Sequence, residues 1–268
     1  MPFFSNFQNW SFTRFTRKAI RLLLHDLFRE IELTRLTNEM ILAEMKKDSF
    51  VRISGLVNEV AFWDRHLHKG IPARAEKTQL TGRYLEYFQE LAKHFPADQL
   101  SILDVGAGPF TNMGTYLGDL QLHITAVDSL AHYYDNLIEK YVLDPPVKTI
   151  FAEAEKLSAI FTPESFVWIN ANNSIDHTRQ PIDAIREMIA LVKPGGMVTM
   201  RHAKNEALNE SYSGFHQWNL FQENGIFYVW GRKRCEAVNV NEIVPSDWDI
   251  RAYDEKQYYV VFEARRPL

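Results

Sequence analysis

Two carboxylates stand at the ends of apolar segments around a Gly-x-Gly turn. Asp104 follows the apolar run before Gly106 and Gly108, and Asp128 ends the next apolar run along the chain. Glycine lets the backbone approach a ligand where a Cβ would collide. A carboxylate at a neighbouring strand end can accept hydrogen bonds from a ribose diol, each worth roughly 1.5–3 kcal/mol. The spacing therefore predicts a nucleoside-binding crevice in a doubly wound α/β domain.

The turn argues against a dinucleotide cofactor. A dinucleotide-binding fingerprint would place a third glycine where Thr111 stands. The carboxylate of Asp104 would also repel a pyrophosphate, whereas it suits a ligand with positive charge. S-adenosyl-L-methionine carries a sulfonium and an ammonium group. The run Asp104–Gly108 resembles the first motif of the class I (Rossmann-like) methyltransferases.

The resemblance extends over residues 100–268 and implies the fold and a set of cofactor contacts. The fold it implies is α/β, with a doubly wound, mostly parallel seven-stranded sheet whose last strand pair is antiparallel. The implied contacts run from the methionine half to the adenine and comprise Asp104, Gly106, Ala107, Gly108, Asp128, Ser129, Glu153, Ala154 and Asn172.

The segment after the fourth predicted strand holds a candidate general base. Asn172–His177 resembles the N-x-L-E-H segment of small-molecule methyltransferases. We expect His177 to take the proton of an acceptor hydroxyl, with Asp176 orienting it, since a positioned histidine contributes roughly 10²–10⁴-fold. Two alternatives stay open. His177 can instead cap the loop, and His202, at the end of the fifth predicted strand, is the rival base.

A polar and aromatic block further along is a candidate acceptor site. His216, Gln217, Trp218 and Asn219 can grip a hydroxylated acceptor, or they can belong to a loop held by its own hydrogen bonds. Asp176, His177, His202 and Glu206 could converge on a metal ion, but their spacing carries no ligand signature. The sequence therefore predicts no metal.

The elements that position these residues alternate between strand and helix, which predicts parallel pairing through right-handed crossovers. Strands are predicted at 101–105, 122–127, 147–151, 166–170 and 197–201, and helices at 79–95, 112–119, 132–141, 154–161 and 182–192. Two hairpins follow, 226–230 with 234–240 and 249–253 with 258–265, the first within an insertion at about 205–242.

Residues 1–78 are predicted to form a helical extension or lid ahead of the cofactor domain at 79–268. Apolar residues between Phe12 and Ile31 recur at helical spacing, opposite a basic face. Such a helix can lie on an anionic membrane, but packing on the domain or in a homodimer is favoured. Phe62, Trp63 and Tyr84 can line a pocket or belong to the core.

Composition narrows the function classes. The net charge of −4 gives no basic field, so no nucleic-acid partner is expected. The lone Cys235 forms no internal disulfide, and no apolar run approaches the roughly 20 residues of a membrane span. We expect a cytoplasmic, bacterial S-adenosylmethionine-dependent methyltransferase acting on a hydroxyl of a small-molecule acceptor. The alternatives are a non-catalytic scaffold docked by the N-terminal helix and a protein or RNA methyltransferase.

Overall fold

The computed structural model describes residues 50–69 and 78–268. Its helices are α1 (Phe50–His68), α2 (Gly82–Leu91), α3 (Ala131–Lys140), α4 (Pro181–Leu191) and the short α5 (Glu206–Asn209). Its strands are β1 (Ser101–Val105), β2 (Tyr116–Leu117), β3 (Leu120–Gln121), β4 (His123–Asp128), β5 (Thr149–Phe151), β6 (Phe166–Asn172), β7 (Val192–Ala203), β8 (Asn219–Glu223), β9 (Ile226–Trp230), β10 (Val238–Asn239), β11 (Asp249–Glu255) and β12 (Tyr259–Arg265).

A seven-stranded sheet in the order β11-β12-β7-β6-β1-β4-β5 forms the centre of the described chain. The five strands from β7 to β5 pair in parallel, and β12 pairs antiparallel with β7 and with β11. Strand β6 is buried along Phe166–Ala171, as expected for a central strand covered on both faces. The predicted class I methyltransferase fold is confirmed.

The segment after the glycine loop differs from its prediction. The sequence predicts a helix at 112–119, but the chain forms the β2–β3 hairpin there. The backbone N–H groups of Leu80 and Thr115 donate to the carbonyl oxygens of Tyr116 and Thr78, at 2.7 and 2.9 Å. This pairing with a segment distant in sequence satisfies the backbone groups that a helix would otherwise have paired internally.

The insertion between β7 and β11 contains a separate three-stranded sheet in the order β10-β9-β8. The predicted pairing of 226–230 with 234–240 is confirmed in part, because β9 pairs antiparallel with β10 at Val238 and Asn239, but the sequence does not predict β8, onto which β9 also folds back. Asn224 and Gly225 join the two strands, both at positive φ, as a two-residue hairpin turn requires. Residues 234–236 form a 3₁₀ turn instead of a strand.

Helix α1 packs against α3 through an apolar cluster. Val60, Trp63 and Leu67 of α1 pack with Tyr134 and Leu137 of α3. The predicted basic amphipathic helix at 12–31 lies outside the described residues. Within the described ranges, no helix combines the length and apolar character that crossing a membrane requires.

Candidate active site

A cavity of about 600 Å³ opens where the parallel strands β1, β4 and β6 end. This is the position where open α/β sheets bind their ligands. Its walls come from α1, the strand ends and the insertion. The sequence-predicted residues that line it are Gly106, Ala107, Gly108, Asp128, Ser129, Glu153, Ala154, Asn172, His177 and His216.

Each glycine of the loop has a protein side chain packed against it. Gly106 and Gly108 have φ of +70° and +68°, the left-handed region that favours glycine. A Cβ on Gly106 would lie 2.2 Å from Cβ of Ser174, and one on Gly108 would lie 2.8 Å from Cζ2 of Trp63. The space for a side chain is therefore already filled by Ser174 and Trp63, in addition to any need for a ligand to approach.

The position of Asp104 corrects the expectation that it contacts a bound ligand. Its side chain is buried and does not line the cavity. Its two carboxylate oxygens accept hydrogen bonds from the Thr111 hydroxyl at 2.6 Å and the Asn170 amide at 2.7 Å. Because both partners are internal, Asp104 fixes the glycine loop to β6.

Asp128 faces the cavity at the end of β4 and also holds the loop. Its oxygens accept backbone hydrogen bonds from Gly108 at 3.0 Å and Leu130 at 2.8 Å. Burial raises the pKa of Asp128 to about 6, although these two hydrogen bonds oppose the shift. Each carboxylate oxygen can accept a further hydrogen bond, so the side chain can still receive a donor from a ligand.

Asp176, His177 and His216 form a cluster at the other end of the cavity, named here the histidine cluster. Asp176 Oδ2 lies 2.8 Å from His216 Nδ1 and 3.5 Å from His177 Nε2, and the two ring nitrogens lie 3.2 Å apart. Sequence adjacency predicts that Asp176 orients His177, but its short contact is with His216. Asp176 itself is buried behind the two rings, which line the cavity.

The cluster is strongly coupled in charge. Burial opposes the ionisation of Asp176, but His177, the hydrogen bond with His216 and His202 together lower its pKa to about 2. Burial lowers the pKa of His216, but the hydrogen bond to Asp176 and its charge outweigh burial and raise the pKa. The carboxylate is therefore ionised at neutral pH and favours a positive charge beside it.

His202 does not reach the cavity, which corrects its placement as the rival base. It is 1% exposed, and burial lowers its pKa to about 4. Within the described ranges neither ring nitrogen has a hydrogen-bond partner, and Nδ1 lies 3.9 Å from Asp176 Oδ1. His202 sits behind the cluster, where a base could not touch an acceptor.

Of the four residues in the block 216–219, His216 lines the cavity and the other three belong to the adjoining loop and strand. Asn219 is fully buried and bonds Leu208 N, Tyr212 Oη and the Gly231 carbonyl oxygen. In the described part of the chain, the Gln217 side chain donates to the Tyr212 and Gly214 carbonyl oxygens and the Trp218 side chain donates to that of Thr178. The structure thus favours a loop held by its own hydrogen bonds at these three positions over direct acceptor contacts.

Several cavity residues of α1 are not predicted as site residues from the sequence. Beside Phe62 and Trp63, which the sequence allows as pocket residues, the wall includes five residues that are not singled out from the sequence: Arg52, Gly55, Asn58, Glu59 and Arg65. Arg52 donates to the His177 carbonyl oxygen at 2.9 Å, and its guanidinium lies 4.6 Å from the centre of the Phe215 ring. The sequence signal that could have identified this wall is the aromatic pair Phe62–Trp63, but such a pair is typical of a pocket and of a buried core alike. Tyr84 packs on Trp168 instead and does not line the cavity.

Comparison with protein families gives a match over the parallel strands of the central sheet. Residues 103–200 match the family model described as "Methyltransferase domain". The match spans β1 to β7 and includes the glycine loop, Asp128 and Asp176. No curated protein matches the sequence.

Solved structures similar to this chain include phosphoethanolamine N-methyltransferase 2 from Haemonchus contortus, in complex with S-adenosyl-L-methionine. The identity is 14%, the TM-score is 0.46, and the match covers 71% of this chain and 54% of that one. This chain therefore spans about half the length of that protein. An S-adenosylmethionine-dependent methyltransferase from Aquifex aeolicus is 14% identical, with a TM-score of 0.40 and coverage of 75% and 96%. The [4+2]-cyclase SpnF is 15% identical, with a TM-score of 0.44 and coverage of 81% and 96%.

Proposed function

We propose that this chain, whose residues 103–200 match a methyltransferase-domain model, transfers the methyl group of S-adenosyl-L-methionine to a small-molecule acceptor. The acceptor atom we propose is a hydroxyl oxygen of a sugar, a glycan precursor or a secondary metabolite. One observation carries the proposal. A single cavity has the glycine loop and Asp128 on one wall and the histidine cluster on another.

The cofactor half of the cavity supplies the contacts that a nucleoside needs. Asp128 keeps acceptor capacity for the two ribose hydroxyls. Glu153 and Ala154 follow β5, next to β4 in the sheet, where the adenine would lie beside the ribose. The half-buried Glu153 carboxylate pairs with the exposed Lys156, and such a surface pair is weak enough to exchange for an adenine amino group.

The acceptor half supplies the remaining chemistry. Bound S-adenosylmethionine would provide an electrophilic methyl group on a sulfonium. The protein must then orient the acceptor oxygen, which can supply several kcal/mol, and withdraw its proton. The histidine cluster, with its ionised carboxylate and two rings at the cavity wall, is the group that we propose withdraws that proton.

A second candidate function, transfer to an amine, is favoured by two carboxylates beside the histidine cluster. Glu206 and Glu210 of the insertion line the cavity close to His216. Their carboxylates would attract a cationic acceptor. An aminosugar or a simple amine therefore belongs in the acceptor panel beside neutral polyols.

Calorimetry with S-adenosylhomocysteine tests the cofactor half. We expect binding by the unaltered protein and a roughly 10–100-fold loss of affinity in Asp128→Asn, since charge-assisted hydrogen bonds contribute about 1.5–3 kcal/mol each. Asp135→Asn is the matched control, because Asp135 pairs with Lys148 outside the cavity. No heat with the unaltered protein, or an equal loss in both variants, would contradict the proposal.

Methyl transfer from labelled S-adenosylmethionine over the acceptor panel tests the other half. With the best acceptor, His177→Ala and His216→Ala should lower kcat at least tenfold while S-adenosylhomocysteine still binds. His123→Ala, an exposed histidine at the start of β4, is the control. Binding of the cofactor product without turnover on any acceptor would favour the scaffold alternative.

A further inference from the structure

The three polar atoms of the histidine cluster converge more closely than hydrogen bonds alone explain. Asp176 Oδ2, His177 Nε2 and His216 Nδ1 lie 2.8, 3.2 and 3.5 Å from one another. His216 Nδ1 carries at most one hydrogen, which it can donate in a well-aligned bond to only one of its two neighbours. At least one of the close contacts is therefore left without a hydrogen along it.

The same three distances suit ligands around one cation. Nitrogen and carboxylate ligands lie about 2.0–2.2 Å from a zinc ion, so two ligand atoms of a tetrahedral site lie roughly 3.3–3.5 Å apart. The 3.5 and 3.2 Å separations lie at or just below that range, and the 2.8 Å separation between Asp176 and His216 is about half an ångström shorter. Shifts of a few tenths of an ångström would bring all three atoms to bonding distance.

Among the described residues, buried polar atoms without hydrogen-bond partners around Asp176 also favour a bound cation. Its Oδ1 is buried without a hydrogen-bond partner in the described part of the chain, and so are both ring nitrogens of His202 behind it. A buried carboxylate with an unsatisfied oxygen is costly unless a positive charge compensates it. A cation between Asp176, His177 and His216 would supply that charge.

We infer that Asp176, His177 and His216 bind a first-row divalent cation of the zinc type. Two imidazole nitrogens and one carboxylate oxygen favour zinc over magnesium or calcium, which prefer oxygen ligands. Both histidine rings line the cavity whereas Asp176 lies behind them, so the fourth coordination position faces the cavity. Three protein ligands with one open position are typical of catalytic zinc sites.

The open position gives the ion a role that rests on the proposed function. An acceptor hydroxyl bound there would have its pKa lowered, as a metal-bound water does. The O–H bond would break with its proton released to solvent, leaving an oxygen nucleophile at the acceptor end of the cavity. The ion would then take the place of a histidine that accepts the proton directly.

Titration of the metal-stripped protein with Zn²⁺ alone tests the inference without cofactor or acceptor. We expect one ion per chain, with excess Mg²⁺ unable to displace it. His177→Gln and His216→Gln should each weaken binding more than about 100-fold, because even changes to residues that only support a metal ligand cost roughly 10–100-fold. His123→Gln, at an exposed position, should bind as tightly as the unaltered protein.

A second measurement uses the unaltered protein alone, so it tests the inference even where the histidine variants fold poorly. Co²⁺ should give the intense visible absorption of a tetrahedral site, and Zn²⁺ should abolish it at one equivalent. Absence of this spectrum together with absence of Zn²⁺ binding would overturn the inference, as would equal binding by the His177→Gln and His216→Gln variants and the unaltered protein. S-adenosylhomocysteine binding, measured separately, distinguishes that failure from a failure of the proposed function.

Discussion

The packing of Ser174 against Gly106 predicts a steric penalty that a second substitution should relieve. An alanine at Gly106 would hold a left-handed φ of +70°, which costs roughly 1–2 kcal/mol. Its Cβ would also lie 2.2 Å from Cβ and 2.6 Å from Oγ of Ser174, an overlap worth about 1–3 kcal/mol. We therefore expect Gly106→Ala to lower the free energy of unfolding by about 2–5 kcal/mol.

Ser174→Gly removes both clashing atoms and leaves the Ser174 Cα 3.6 Å from the new methyl, an ordinary contact. The single change loses the hydrogen bond to the Val105 carbonyl oxygen, about 1 kcal/mol. In the double variant the overlap disappears and only the backbone strain remains. A double-mutant cycle should therefore give a favourable coupling of about 1–3 kcal/mol between the two sites.

Urea unfolding of the four proteins measures the coupling, and Gly118→Ala calibrates the backbone strain. Gly118 has φ of +59°, and a Cβ added there would meet no atom within 4 Å, so its substitution should cost only about 1–2 kcal/mol. Equal destabilisation by Gly106→Ala and Gly118→Ala, or a coupling near zero, would refute the steric argument.

Three further predictions concern the cavity and its walls. The pKa of Asp128 is raised to about 6, so its carboxylate becomes protonated below that pH. The affinity for S-adenosylhomocysteine should therefore fall roughly tenfold for each pH unit below about 6, which calorimetry between about pH 5 and 8 would show. The Asp128→Asn variant should lack this pH dependence. Asn219→Ala should lower the free energy of unfolding by about 2 kcal/mol, because three side-chain hydrogen bonds are lost. A rise in the KM for the acceptor without loss of stability would contradict a structural role for Asn219. Arg52→Met should lower kcat roughly tenfold at unchanged S-adenosylhomocysteine affinity, because the His177 carbonyl oxygen loses the hydrogen bond from Arg52. Steady-state kinetics measures this effect, and Arg186→Met, at an exposed site on α4, is the control.

The cofactor half is predictable because its signals are local. Gly106 and Gly108 have positive φ in a turn directly after a strand, and Asp128 ends the neighbouring strand. Strand-turn-helix alternation then constrains the order of the parallel strands. These features depend on residues close together in sequence, and periodicity and turn chemistry report such residues directly.

The acceptor half is less predictable because its contacts join distant segments. Asp176 meets His216 from the insertion at 2.8 Å, forty residues further along the chain, whereas adjacency favours His177. The helix expected after the glycine loop is absent for the same reason, since Tyr116 pairs with Leu80. The β8–β9 turn does carry an unused local signal, the Asn224–Gly225 dipeptide.

Helix α1 links the two halves of the cavity. Trp63 fills the space beside Gly108 in the cofactor half, and Arg52, about three turns earlier, donates to the His177 carbonyl oxygen in the acceptor half. The same helix therefore packs against the glycine loop at Trp63 and holds the His177 backbone at Arg52, so both ends of the cavity depend on the placement of α1.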